Sequence, residues 1–219
     1  MNTDDRDTIL AILLTDSSSW QQLVAFAPRT SDAATDANLR NRYMALLALH
    51  VRHQSADKAE DLRLVMYLLD QEVLYHRQAD HYRSSISLAC YLLARYRQPS
   101  HLWAIWAARE ANFDALKSVD SHYMWYATSG VENAKMYLER CGMGDVGEGA
   151  AEDGGRVRWW RELVEDAGDE AKAFEELKRQ VVERIKMDVT CGITDETVEK
   201  FVDDSWRSET KRWEESLLP

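Results

Sequence analysis

Along most of the chain, apolar residues return at every third or fourth position rather than every second, and breakers fall between such blocks. The pattern predicts a succession of helices. The first covers residues 4–15, with Thr3 as its cap. Ser17 or Ser18 is placed to cap a shorter one that carries Trp20, Leu23 and Phe26 and ends before Pro28. The polar run "RTSDAATD" reads as a loop, after which Asp36 caps a helix bearing Leu39, Tyr43, Leu46, Leu47 and Val51. A helix over 57–78 presents Leu62, Val65, Met66, Leu69 and Val73, and another over 80–97 presents Ile86, Ala89, Leu92, Leu93 and Tyr96. Pro99 and Ser100 open the next, which carries Trp103 and Trp106. Short helices over 120–128 and 131–140 flank Gly130, a residue suited to closing one helix just before another restarts.

After residue 140 the pattern changes. "CGMGDVGEGAAEDGG", residues 141–155, holds six of the nine glycines, several acids and almost no packing side chains, and reads as a loop or linker. Helical periodicity resumes in "RVRWWRELVEDAG" and "DEAKAFEELKRQVVERIKMDV". A last helix starts at Thr194 or Asp195 and runs toward Leu217. Asp195 and Glu196 favour its first turn through the helix dipole, although Thr197 stands where a capping box would have Glu. On that helix Asp195, Glu199, Asp203 and Glu209 fall on one side, and Val198, Phe201, Val202 and Trp213 form the packing side. With only 9 Gly and 3 Pro against 45% hydrophobic residues, an all-α fold is expected. Residues 1–140 would be an array of antiparallel helical hairpins, solenoid-like or an irregular bundle. Residues 156–219 would dock on it as an acidic C-terminal segment.

Charge alters this picture most in the last third. Residues 1–141 hold 15 Lys and Arg against 17 Asp and Glu, whereas residues 142–219 hold 12 against 21, so nearly all of the net charge of -11 lies there. Such a surface repels phosphate backbones and attracts a basic protein partner. No apolar run approaches the roughly 20 residues of a membrane span. The N-terminus "MNTDDRDTILAILL" has acids where a secretory signal needs basic residues, so a cytoplasmic location is expected. Cys90, Cys141 and Cys191 are odd in number and far apart, which suggests neither a disulfide framework nor a thiolate zinc site.

Few residues form patterns that carry chemistry. His50 and His53 share a helix face in "HVRH", and Glu72 and His76 lie one turn apart in "EVLYH", with His81 just beyond. Together they are the candidate ligands of a metal-dependent helical hydrolase, set against the simpler reading of polar helix surfaces. Asp114 and Asp120 fit either helix caps, a partner surface or a pair of catalytic carboxylates. The serines at 17–19 lack a nucleophile elbow, and the 141–155 segment lacks the Lys-Ser/Thr of a phosphate-binding loop. No cofactor is implied. Trp103 and Trp106, three residues apart, and Trp125 either fill the joints between helices or line a partly exposed aromatic groove. Trp159 and Trp160 point about 100° apart, so one of them is expected to be part exposed, beside Arg156, Arg158 and Arg161. The expected function is non-enzymatic protein binding, with Trp103, Trp106, Asp114, Asp120, Trp125, Trp159, Trp160, Asp203, Asp204 and Glu209 as partner-binding candidates.

Two resemblances add to this. "HVRHQS", "RYRQPS" and "LERCGM" each end a predicted helix, and their Arg52, Arg97 and Arg140 are spaced by 45 and 43 residues. That spacing resembles HEAT-type and tetratricopeptide-type α-solenoids over residues 36–141, without the W-x-x-L-G signature of the latter. The run "WAAREANFDALKSVDSHYMWYATSGVENAKMYL" is similar to a segment of bacterial helical immunity-type proteins. That likeness implies neutralisation of a basic toxin and brings no catalytic residue with it.

Overall fold

The computed structural model describes residues 3–29, 32–53, 61–78, 85–152 and 154–200. The fold is all-α. Helices α1 (Thr3–Thr15) and α2 (Trp20–Leu23) are joined by a 3-10 turn at Ser17–Ser19. The cap of that turn is Asp16 rather than a serine: its carboxylate accepts from both the amide and the hydroxyl of Ser18. Trp20 donates from its indole to the Leu13 carbonyl at 2.7 Å, which folds the turn back onto α1. Then come α3 (Leu39–His53), α4 (Leu62–Gln78), α5 (Ser85–Ala94), α6 (His101–Arg109), α7 (Phe113–Ser118), α8 (His122–Ala127) and α9 (Val131–Arg140). After a 3-10 turn at Met143–Gly147, α10 (Gly155–Ala167) and α11 (Glu170–Thr190) follow, and a terminal helix starts at residue 195 and continues to 200.

The segment expected to be a plain loop at 29–36 contains a short antiparallel ribbon, β1 (Pro28–Arg29) with β2 (Asp32–Asp36). Asp36 closes it. One carboxylate oxygen accepts from the amides of Ala27 and Asn38, both at 3.0 Å, and the other meets Arg42. Because α3 begins at Leu39, Asp36 stands before the cap position: it orders the approach to the helix through the Asn38 amide and anchors the preceding segment, rather than capping α3 as expected.

Helices α4, α5 and α6 form the centre. Every residue of α5 and of α6 is buried, because α5 is covered by α3, α4, α6 and α8, and α6 by α4, α7, α8 and α10. A helix enclosed on all sides must be apolar all round, and "SISLACYLLA" and "HLWAIWAAR" nearly are. None of the described helices is long and apolar enough to cross a membrane.

The glycine-rich segment lies against this centre. Val146 is buried, and a side chain at Gly155 would stand 2.6 Å from Val73 and 2.7 Å from the Asp70 carbonyl. Glycine here permits α10 to approach α4 closely, rather than giving the chain freedom. Asp70, within α4, holds the same segment from below by accepting from the Ala151 amide at 2.9 Å.

Between α8 and α9 the chain reverses in a Schellman turn. The Gly130 amide donates to the Trp125 carbonyl at 2.8 Å, and the Ser129 amide to Tyr126 at 3.1 Å. The left-handed residue is Ser129, with φ 59°, and Gly130 follows at φ 122°. The arginines that suggested a repeat have dissimilar surroundings. Arg52 binds Asp61, Arg97 stacks on Tyr126 and binds Glu199, and Arg140 is exposed at the end of α9.

Candidate functional site

The aromatic stretch at 100–130 is interior. Trp103 and Trp125 have no exposed surface and Trp106 has 6%. Trp103 on α6 packs with Phe174 of α11 at 5.9 Å and Tyr137 of α9 at 6.5 Å between ring centroids, so it joins three helices. Trp125 on α8 donates from its indole to Asp188 of α11 at 2.9 Å. These three tryptophans were candidates for a partner surface, and burial removes them from it. Trp159 is corrected in the same way at 5% exposure, because it is the residue of its pair that α10 turns inward. Trp160 is half-buried, as the angular separation of adjacent helix positions requires.

Asn112, not Asp114, caps α7, accepting from the Ala115 amide at 2.7 Å; Asp114 occupies the first turn, where its charge favours the dipole. Asp120 accepts from the His122 amide at 2.9 Å and pairs with the His122 ring. Burial works against the Asp120 carboxylate. The hydrogen bonds from the His122 side chain and amide, with the charges of His122 and Arg109, overcome that and hold its pKa below the usual range. Asp203, Asp204 and Glu209 lie outside the described residues.

The histidine and carboxylate group splits into separate networks. Glu72, fully buried, accepts from Arg42 at 2.7 Å and from the Ser85 hydroxyl at 2.5 Å, and Arg42 also meets Asp36. His76 uses Nδ1 to donate to the Glu72 backbone carbonyl at 3.0 Å. His53 faces Asp61 at 3.3 Å and the Tyr96 hydroxyl at 3.2 Å, while His50 packs edge-on against Tyr91. His81 lies outside the described residues. Among the described residues no three His, Cys, Asp or Glu side chains converge as a metal site. Glu72, the carboxylate of the candidate ligand set, is already neutralised by Arg42, and the described members of that set are not brought together.

A second buried ion pair went unread in the sequence. Arg156, at the start of α10, donates to Asp70 from Nε at 2.6 Å and from Nη2 at 3.1 Å, with both side chains buried. The signal was present in "YLLDQEVLY", where two acids and a glutamine stand side by side in a stretch that is otherwise apolar or aromatic. Arg156 therefore leaves the basic group beside Trp160, and the exposed members are Arg158 and Arg161.

Two of the acids on the terminal helix are used internally. Asp195 accepts from the Val131 amide at 2.7 Å and so supplies the N-terminus of α9 with a cap that Gly130 lacks; Glu199 binds Arg97 at 2.8 Å. Among the described residues, an exposed acidic surface lies at the α10–α11 corner. Glu162, Glu165, Asp166, Asp169 and Glu170 are all exposed there, with no Lys or Arg in the sequence between Glu162 and Ala171. Comparison with family models, with curated proteins and with solved structures finds no match to this chain.

Proposed function

We propose that this chain is a non-enzymatic protein-binding protein whose acidic α10–α11 corner engages a basic partner. The observation that carries this reading is the corner itself: Glu165, Asp166, Asp169 and Glu170 stand exposed around Gly168, which closes α10 in a left-handed conformation. Asp169 spends part of its charge capping the Lys172 amide at 2.9 Å, while Glu165, Asp166 and Glu170 point outward from a rigid helical scaffold. A concentrated negative surface steers a positive partner at long range and discriminates against acidic ones. In its most concrete form the reading is an immunity protein that covers the nucleic-acid-binding surface of a basic toxin.

The test is affinity capture from the source cells with the wild-type chain and with a Glu165→Gln/Asp166→Asn/Glu170→Gln variant. The expected partner is rich in Lys and Arg, is retained by the wild type at low salt, and is released as ionic strength passes roughly 0.3 M, where screening shortens to a few ångströms. The amide variant loses it without a change in thermal stability, since exposed charges contribute little to folding. A partner of neutral or acidic composition, or one held equally by both proteins, overturns the reading.

A further inference from the structure

Between α9 and α11 runs an open groove of about 380 Å³. Its floor is apolar: Leu138 and Ile185 are almost fully buried, and Val182 is half-buried. Its rim is cationic, formed by Lys135, Lys178 and Lys186, with Glu139 as the one carboxylate among the lining residues. Val189, three or four residues beyond Ile185 and Lys186, is 44% exposed and continues the stripe of Val182 and Ile185 along α11.

The rim opposes the sign of its surroundings. The last third of the chain is strongly acidic, yet three ammonium groups are gathered around these apolar positions. Two of them are only loosely engaged. Lys135 pairs with Glu132 and Lys186 with Glu183, in exposed (i, i+3) contacts that solvent and salt screen. Lys178 rests 5.3 Å above the Phe174 ring. Each can exchange its present contact for an incoming carboxylate at little cost.

We propose that this groove binds an amphipathic α-helix of a partner protein, with apolar residues at i, i+4 and i+7 on the floor and Asp or Glu residues on both flanks over the lysines. The charge complementarity selects the flanks, and the dimensions select the helix. From Lys178 to Lys186 the groove extends about 12 Å at 1.5 Å per residue, roughly two helical turns, and three anchors at those spacings cover about 10 Å. A strand fits poorly, since the groove is walled by side chains and offers no backbone edge to pair with its amides and carbonyls. The site is separate from the acidic corner and has the opposite preference, so either can fail without the other.

The probe is a fluorescein-labelled helical peptide of about 16 residues, roughly four turns, with Leu anchors and Glu flanks, compared with the same peptide carrying Lys for Glu. Binding is read by fluorescence anisotropy on the full chain. The net charge of -11 repels the acidic peptide and attracts the basic one, so non-specific binding predicts the opposite of the proposal. The expected result is acidic peptide bound at least about tenfold tighter than its basic counterpart. Val182→Glu should abolish that binding. Lys178→Glu/Lys186→Glu, at partly or fully exposed positions that leave the fold intact, should invert the preference. Equal binding of the two peptides, no binding of the acidic one, or a preference unmoved by the double reversal overturns the proposal. So does a dimer in sedimentation equilibrium that Val182→Glu dissociates, which would assign the groove to a second copy of the chain.

Discussion

Arg156 and Asp70 meet where water is excluded, and the pair is bidentate, with the Ala151 amide filling a remaining position on the carboxylate. Pairs of this kind owe little to net Coulomb gain, because desolvating both ions offsets it; they become costly when one partner is removed. Arg156→Met alone is therefore expected to destabilise the fold by about 3 to 5 kcal/mol, and Arg156→Met/Asp70→Leu to recover most of that loss. Urea unfolding of both variants measures the difference, and a double variant no more stable than the single one would mean that the pair itself stabilises the contact of α10 with α4. Trp103 belongs to the same scale. It has no exposed surface and touches rings from two other helices, so Trp103→Ala should cost about 3 to 5 kcal/mol in the same assay. A cost under about 1 kcal/mol is incompatible with a ring that joins three helices. Both residues show what can be read locally. A charge inside an apolar helix announces a buried partner, but which arginine it meets does not follow from the sequence, since 86 positions separate Asp70 from Arg156.

At the level of elements, period and punctuation placed the helices well, because a 3.6-residue apolar face and a capping residue are local properties. The expected helix at 4–15 and the observed α1 at Thr3–Thr15 nearly coincide, as do 131–140 and α9 at Val131–Arg140. What escaped is the long-range use of the caps. Thr194 and Thr197 cap each other reciprocally, the Thr194 amide donating to the Thr197 hydroxyl at 2.7 Å and the Thr197 amide to the Thr194 hydroxyl at 3.3 Å, so threonine does the work expected of Glu. The neighbouring Asp195 then caps a different helix, α9, and its carboxylate lies where a side chain at Gly130 would be, 2.6 Å from that position. Asp195→Ala should cost about 1 kcal/mol, the usual loss of a capping carboxylate, and raise amide exchange at Val131 selectively. Exchange that stays slow at Val131 would show that the cap is not what protects this helix start. The glycine-rich segment illustrates the opposite error. Its composition reads as freedom, yet Gly155 lies against Val73, and Gly155→Ala is expected to lower stability by about 1 to 3 kcal/mol through overpacking. An unchanged melting temperature would show that α10 can withdraw from α4 without loss.

Across the whole molecule, the core has taken in more titratable side chains than an all-α protein needs, and two of its histidines make the fold sensitive to acid. His50 and His101 are both 3% exposed. Burial pushes the pKa of each down to about 4, with further lowering of His50 by Arg95 and His53 and of His101 by Arg156, partly countered by the His101 hydrogen bond to the Leu93 carbonyl. In the unfolded chain both rings titrate near 6.5. A base whose folded pKa is depressed binds more protons when unfolded, so stability is complete above about pH 6.5 and falls as pH drops toward 4. For a shift of this size the loss is about 2 kcal/mol per histidine at pH 5 and about 3 at pH 4. Two such groups together take roughly 4 kcal/mol at pH 5 from a total that for domains is generally about 5 to 15. The carboxylate of Asp120, with its pKa held below the usual range, adds to this loss only at still lower pH, because the stability it contributes is present above the ordinary carboxylate range and is lost as pH falls through and below it. Urea unfolding at pH 7 and pH 5 should therefore show a marked fall in stability. His101→Asn, which keeps a donor for the Leu93 carbonyl and has no titrating ring, should remove about half of it. A stability indifferent to pH over this range would mean that the two rings accept protons inside the fold, and that the helices around α5 and α6 open enough at pH 5 to let water reach them.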